Sequence, residues 1–235
     1  VTDELDSLSN VLRLQESIAW AYREQNLVIV TERQPVPELL LQRTWRIRAR
    51  RAIIACGAIE RTLVFANNDR PGVMLASAVQ AYVNRYAVLP GNRAVIFTNN
   101  DSAYAAAADM MAAGIEIASI VDSRTNINDA MRELVGDIPI LINHVIISTV
   151  GRRRVRAVTV ESRETGNSPS IKSIDCDLLC ISGGWNPTIH LYSQSRSKLQ
   201  YDDDLAAFVP HKAVQACECV GAAAGKFELG DILLG

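Results

Sequence analysis

Runs of apolar residues alternate with polar turns in a pattern that predicts strands and helices in succession. Residues 94–97 form an apolar strand-like run, residues 103–113 an alanine-rich helical run, and residues 115–121 a second strand-like run. Gly114 is the expected stop of the helix. A strand, a turn, a helix and a strand in this order are typical of a dinucleotide-binding Rossmann unit. The turn holds no glycine, so we interpret the segment as such a unit with an altered phosphate loop.

The rest of the chain predicts more strand than helix. Alternating runs near the start predict an antiparallel β meander, whereas residues 52–55 are continuously apolar, as in a buried parallel strand. Further predicted strands cover residues 11–14, 18–22, 27–33, 45–49, 138–142, 145–149, 155–161 and 177–181, with helices at 73–89 and 128–135. Residues 164–170 predict a loop, and residues 227–235 predict the start of a helix. The fold class is therefore α/β, a three-layer Rossmann-like fold with an antiparallel β meander insertion.

Composition narrows the possible functions. The chain has 235 residues, of which 49% are hydrophobic, and a formal net charge of -2, which allows one or two domains. No long block of like charge indicates nucleic-acid binding, and the Arg152-Arg153-Arg154 run predicts a solvated hairpin turn. No apolar run reaches the roughly 18 residues of a membrane span. We expect a cytoplasmic protein that contacts neither nucleic acid nor membrane. Because it starts at Val1 without methionine, we also expect a longer polypeptide.

Cysteine and histidine give no clear reactive site. The five cysteines contain no Cys-x-x-Cys pair, and those in apolar runs predict buried hydrophobic positions. Cys217 and Cys219 are the one close pair, for which burial in a strand is favoured over redox or metal chemistry. The three histidines have no ligand-type neighbour at metal spacing. We predict no catalytic residue and no metal site.

The altered loop is the main candidate site. Thr98, Asn100 and Ala103 stand where the three glycines of a dinucleotide loop are usual. Ala103 is small enough for close helix packing, and an asparagine at 99 or 100 tolerates the left-handed turn. A side chain at Asn100, however, points into the space for pyrophosphate. Asp122 follows Ala103 at about the 20-residue spacing of the ribose-binding acid, which favours NAD over NADP.

The candidate cofactor-binding residues fall into two groups. In the loop and on the following strand they are Thr98, Asn99, Asn100, Asp101, Ser102, Ala103 and Asp122. Elsewhere they are Gly57, Gly183 and Gly184, which follow apolar strands and allow close approach of a ligand or of a neighbouring element. A scaffold whose loop has stopped binding nucleotide is an equal alternative.

Three long runs resemble one family. They are Ile-Ala-Cys-Gly-Ala-Ile-Glu-Arg at 54–61, Phe-Ala-Asn-Asn-Asp-Arg-Pro-Gly-Val-Met-Leu-Ala-Ser-Ala-Val at 65–79, and Phe-Thr-Asn-Asn-Asp-Ser-Ala-Tyr at 97–104. These runs resemble α subunits of heterotetrameric sarcosine oxidase. The order of elements also resembles the wider superfamily of two-dinucleotide-domain FAD/NAD(P)-binding disulfide oxidoreductases. The resemblance covers the whole chain.

The resemblance implies domains, chemistry and partners. Residues 1–90 and 176–235 would form part of a first, FAD-type domain, and residues 91–175 an inserted NAD-type Rossmann domain. The complete complex would oxidatively demethylate sarcosine to glycine, with the one-carbon unit passed to tetrahydrofolate or released as formaldehyde and with hydrogen peroxide produced. It would hold FAD, FMN and NAD. The resemblance allows the NAD to lie on a loop upstream of Val1. This portion would contact other sarcosine oxidase subunits and carry no catalysis of its own.

Three alternatives stay open at this point. A NADH:flavin oxidoreductase domain requires nucleotide at the loop, with Asp122 on the ribose. A subunit of a related opine or proline dehydrogenase is a close variant of the sarcosine oxidase hypothesis. A non-binding assembly scaffold has no ligand at all.

Overall fold

The computed structural model describes residues 2–33, 42–164 and 171–234. It divides into two compact units, Val1–Ile59 with Pro187–Gly235 and, between them in sequence, Glu60–Asn186. We call these unit 1 and unit 2. The unit boundaries differ from the predicted domain boundaries at 90/91 and 175/176, because strands that flank the predicted inserted domain belong to the same sheet as its own strands.

The helices and strands follow one another along the chain. The first are α1 (Thr2–Ser7), β1 (Ser17–Arg23), β2 (Leu27–Arg33), β3 (Gln42–Arg48), β4 (Ala52–Ile54), β5 (Ala58–Glu60), β6 (Val73–Leu75), α2 (Ala76–Tyr86), β7 (Arg93–Thr98), α3 (Ser102–Ala112) and β8 (Glu116–Asp122). Next are α4 (Asp129–Val135), β9 (Ile140–Ile142), β10 (His144–Val150), β11 (Ala157–Ser162), β12 (Ile171–Asp175), β13 (Leu178–Ser182) and β14 (Trp185–Pro187). The last are α5 (His190–Gln194), β15 (Lys198–Asp202), β16 (Ala207–Lys212), β17 (Cys217–Cys219), a 3₁₀ turn at Gly221–Ala224 and α6 (Leu229–Leu234).

Unit 2 is a three-layer structure around a parallel sheet. The sheet has five strands in the order β6-β13-β7-β8-β9. One face packs on the helices through a buried cluster that includes Ile96, Met110 and Leu178. The other face packs on the antiparallel sheet β10-β11-β12 through a second cluster that includes Phe97 and Val155. Strands covered on both faces are continuously apolar, as β13 and β7 are. The predicted α/β class is confirmed.

Unit 1 contains smaller sheets. Strands β1, β2 and β3 form an antiparallel sheet with an irregularity between Ala19 and Ala21, and β17 pairs with β4 in parallel. Strands β15 and β16 form an antiparallel pair. A buried cluster of Tyr22, Ile54, Tyr192 and Cys217 forms the core.

Several predicted elements need correction. Residues 11–14 form no strand, because Leu12 is largely exposed and none of the described strands pairs with it. The predicted helix at 73–89 begins as the strand β6, and α2 ends before Ala87, which takes the left-handed conformation. Most of the predicted loop at 164–170 lies outside the described residues. Among the described residues, no helix has the length and apolar character needed to cross a bilayer.

Candidate functional site

Three strand ends meet at the carboxyl edge of the unit 2 sheet. Thr98, Ser182 and Asp122 are the last residues of β7, β13 and β8, and the strand register places Thr98 beside both of the others. All three are fully buried. In open α/β sheets, ligands bind just outside this edge. The structure therefore brings the predicted loop and the predicted ribose acid together at the expected place.

The Asn100 side chain fills the turn above this edge. Its Nδ2 donates to the carbonyl oxygen of Ser182 at 3.1 Å and lies 3.0 Å from the Ser182 Oγ. Its Oδ1 accepts from the Ser102 amide at 3.1 Å and from the Ser102 Oγ at 2.6 Å. An early amide of a helix is what an anion would bind. Here that amide already has a partner within the loop.

A threonine makes the turn that glycine usually makes. The Asn100 amide donates to Thr98 Oγ1 at 3.1 Å, and Thr98 Oγ1 donates to the Asn100 carbonyl at 3.0 Å. Such local side-chain bonds replace the turn conformation that glycine supplies. Neither Asn99 nor Asn100 has a positive φ, so the expected left-handed turn is absent at both residues. Asn99 adds a contact of 3.2 Å from its Oδ1 to the Asn100 Nδ2.

Trp185 was not among the residues singled out from the sequence. Its Nε1 donates to Ser102 Oγ at 3.0 Å, so this hydroxyl accepts from the indole while it donates to Asn100. The Gly-Gly-Trp run after an apolar strand was the only signal in the sequence. Ala103 is buried in the helix-side core cluster, where a larger side chain would separate α3 from the sheet. It takes the packing role that the third glycine has in other loops.

Asp122 is held by protein groups on both carboxylate oxygens. Oδ2 accepts from the Tyr104 hydroxyl at 2.8 Å and from Arg124 Nη2 at 2.8 Å. Oδ1 accepts from the Arg124 amide at 2.9 Å and from Arg124 Nε at 3.1 Å. Burial, together with the hydrogen bond to Asp122, raises the pKa of Tyr104 above its ordinary value, so the phenol stays protonated and donates. Because the Asp122 side chain is fully buried, its carboxylate is not exposed to a ribose hydroxyl.

Arg124 links the acid to the loop. Its Nη1 lies 2.7 Å from Asp101 Oδ1, while its Nη2 contacts Asp122. The guanidinium therefore bridges the start of α3 and the end of β8. In a Rossmann domain the adenosine ribose lies between these two points. The predicted residues Asp101 and Asp122 thus contact the same cation.

The three candidate glycines have different surroundings. In unit 2, a Cβ on Gly183 would lie 2.9 Å from the Thr62 carbonyl oxygen and 3.1 Å from that of Arg61. Gly184 has φ +89°, and a Cβ there would lie 2.7 Å from the Arg61 guanidinium. Gly183 therefore approaches the main chain at residues 61 and 62, and Gly184 approaches the side chain of Arg61. In unit 1, Gly57 has φ +69° and open space where its Cβ would be.

We expect Gly183→Ala to destabilise unit 2 by about 1–3 kcal/mol, the usual cost of forcing a methyl group into a packed position. Gly230→Ala is the matched control, because nothing lies within 4 Å of its Cβ position in α6. Urea unfolding of both variants measures the difference. If the two variants were equally stable, the close approach at Gly183 would be contradicted. Ligand binding near Gly183 would then be the explanation to test.

The predicted burial of cysteines in apolar runs is confirmed for Cys176 and Cys180 and is wrong for Cys56, which is exposed. Burial raises the pKa of the Cys176 thiol to about 12 and that of Cys219 to about 11, which keeps both protonated near neutral pH. Cys180 is fully buried, with its sulfur 3.7 Å from that of Met110. Within residues 2–33, 42–164 and 171–234, no group of three or more His, Cys, Asp or Glu side chains is placed to hold a metal ion.

Comparison with known proteins identifies relatives of the whole chain. It is 36% identical over 244 residues to "Sarcosine oxidase subunit alpha" of Corynebacterium sp. (strain P-1), covering 98% of this chain and 25% of that subunit. It is also 36% identical over 238 residues to the subunit of the same name from Rhizobium meliloti (strain 1021), covering 99% and 23%. The chain thus spans about a quarter of the length of these relatives. No family model matches it.

Solved structures confirm the fold. A thioredoxin reductase of T. acidophilum aligns with a TM-score of 0.70 at 18% identity, over 92% of this chain and 69% of that one. An L-proline dehydrogenase from P. horikoshii aligns with a TM-score of 0.61 at 20% identity, over 89% and 36%. At such identities the likeness concerns the fold alone. The predicted α/β, Rossmann-like fold is confirmed.

Proposed function

We propose that this chain is a portion of the α subunit of a sarcosine oxidase, and that it serves the complex as a scaffold rather than as a catalytic part. The observation that carries the first half is the 36% identity to such subunits over 98% of the chain. The resemblance predicted from residues 54–61, 65–79 and 97–104 agrees with these relatives. The proposed scaffold role depends on the side-chain contacts within the loop at 98–103.

The proposed reaction is the oxidative demethylation of sarcosine. In the complete complex a bound flavin would accept two electrons from the amine and oxygen would be reduced to hydrogen peroxide. Glycine and formaldehyde would be released, or the one-carbon unit would pass to tetrahydrofolate. We place this chemistry on another subunit. Among the described residues we find no nucleophile paired with a base, and the buried thiols Cys176 and Cys219 have raised pKa values.

The fit of a dinucleotide to unit 2 is poor. Asn100 fills the space for pyrophosphate and caps the Ser102 amide, and Asp122 is bonded to Tyr104 and Arg124. These contacts favour the scaffold alternative over a NADH:flavin oxidoreductase domain. We therefore propose that the complex holds its NAD outside unit 2. FAD and FMN complete the proposed cofactor set.

Oxygen uptake by the assembled complex tests the proposed function. The polypeptide that contains this chain, co-expressed with its partner subunits, should consume oxygen with sarcosine and yield glycine, whereas L-proline should give at most a few per cent of that rate. Preference for proline or an opine would instead support the related dehydrogenases. NADH-dependent flavin reduction without any amine oxidation would support the NADH:flavin oxidoreductase alternative.

A further inference from the structure

A cluster of arginines lies at the edge of the unit 2 sheet opposite the candidate site. Arg93 begins β7 and Asp177 immediately precedes β13, so both mark the amino ends of parallel strands. The connection from β10 to β11 brings residues 152–156 to the same place, where an open cleft of about 460 Å³ is lined by Arg93, Arg154, Arg156, Asp175 and Asp177, among others. We call residues 152–156 the arginine turn.

The arginine turn is firmly anchored. Val155 is fully buried between two exposed arginines, and its amide donates to the Pro71 carbonyl at 2.9 Å. The Arg156 amide donates to the Val150 carbonyl at 2.8 Å. Gly151, at φ +146°, lets the chain pass where a Cβ would lie 2.0 Å from the Arg154 carbonyl oxygen. The turn therefore presents its arginines from a fixed backbone, which lowers the entropy lost when a partner binds.

The charges of the cluster are only partly compensated. Arg93 forms an ion pair with Glu116, and Arg154 Nη2 donates to the Asp177 carbonyl at 3.0 Å. Among the described residues, Arg152, Arg153 and Arg156 form no ion pair. The turn therefore carries three exposed arginines without an ion-pair partner among the described residues, and one of them, Arg156, also lines the cleft.

The carboxylate of Asp177, which lines the cleft, is already hydrogen-bonded to the main chain of the unit. It accepts from the amides of Asn92 and Arg93, each at 2.9 Å. Burial alone would raise the pKa of Asp177, but these amides lower it below its ordinary value, so the group stays ionised. A fixed negative charge beside the arginines repels a continuous polyanion such as nucleic acid. A protein segment can instead place its carboxylates on Arg152 and Arg153, which do not line the cleft.

We propose that the arginine turn docks an acidic segment of another subunit of the complex. Guanidinium groups bind carboxylates through two parallel hydrogen bonds, which gives both attraction and orientation. The surface is remote from the carboxyl edge of the sheet, so it remains available whatever occupies that edge. This proposal rests on the proposed function, since it takes the chain to be part of a multi-subunit enzyme.

The test is charge reversal within the whole complex. The variant Arg152→Glu/Arg153→Glu/Arg156→Glu is introduced into the polypeptide that contains this chain, and assembly with the co-expressed subunits is measured by analytical ultracentrifugation from 50 to 500 mM salt. We expect the dissociation constant to rise on the order of tenfold or more, and most at low salt. The control Arg46→Glu/Arg50→Glu/Arg132→Glu makes the same charge change at exposed arginines elsewhere and should leave assembly within about twofold of the parent.

The outcomes separate the two proposals. A parent polypeptide that does not assemble with sarcosine oxidase subunits would refute the proposed function, and the docking surface with it. If the parent assembles and the arginine-turn variant assembles equally well at every salt concentration, the docking proposal alone is refuted. Binding to nucleic acid in place of a subunit would also overturn it. If charge reversal prevents folding, judged by circular dichroism, the Arg→Gln triple variant at the same positions is used.

Discussion

Asp122→Ala is expected to lower the free energy of unfolding by about 3 kcal/mol, the lower end of the cost of breaking a buried ion pair. The carboxylate is fully buried and accepts from Tyr104 and from Arg124 through its amide, Nε and Nη2. Its removal leaves the Tyr104 hydroxyl without an acceptor in the core and the Arg124 guanidinium with Asp101 alone. The lower end applies because the Arg124 side chain is 29% exposed and regains some hydration.

Chemical denaturation measures this effect, with Asp129→Ala as the control. Asp129 lies in the first turn of α4 and is exposed, so its loss should cost no more than about 0.5 kcal/mol. A double-mutant cycle with Tyr104→Phe should show coupling of about 1 kcal/mol, because both changes remove the same hydrogen bond. The opposite result is a stable Asp122→Ala protein that has lost affinity for NAD. It would make Asp122 the ribose ligand that its spacing predicts.

Asp122 shows which features of the site its spacing from the loop predicts and which it does not. The distance along the chain from the loop to the end of the next strand correctly placed an acid at the carboxyl edge of the sheet. The same spacing suits a ligand and a structural carboxylate equally well. The difference lies in Tyr104 and Arg124, whose approach depends on the packing of α3 and on the turn after β8. No periodicity in the sequence describes that approach.

Strand prediction succeeded for runs with a clear apolar or alternating pattern and failed for strands that are mostly exposed or mixed. The middle residues of β7, β8 and β13 are mainly apolar and buried. These strands were recognised because helices cover one face of their parallel sheet and the antiparallel sheet covers the other. Strand β12 is mostly exposed and β15 is mixed, so neither carries an apolar signal. Residues 11–14 carry that signal but form no strand, since none of the described strands pairs with them.

The unit boundaries could not be predicted from order alone. Strands β6 and β13 flank the segment that was expected to be the whole inserted domain, yet both hydrogen-bond within its sheet. Residues far apart in sequence are joined here by main-chain pairing. A pattern read along the chain shows that a strand exists, but not which sheet it joins.

Asn100→Gly is expected to open the loop and to create a nucleotide site that the parent lacks. The change removes the Asn100 bonds to Ser182 and to the Ser102 amide and hydroxyl, which should lower the free energy of unfolding by about 2 kcal/mol. It also frees the helix-start amide and clears the side chain from the space for pyrophosphate, the two features that a dinucleotide loop needs. Isothermal titration with NAD should show one more bound nucleotide per chain than in the parent.

Asn99→Gly is the matched control, because it makes the same chemical change one residue earlier and leaves the Asn100 side chain in place. The Asn99 side chain makes one contact in the loop, with Asn100, so the control should cost less stability and add no nucleotide. Counting bound nucleotide, rather than measuring affinity alone, separates a new site in unit 2 from NAD held on any other loop. If the parent already binds NAD in unit 2 and Asn100→Gly leaves that binding unchanged, the loop is not closed by Asn100, and the scaffold role proposed for unit 2 is wrong.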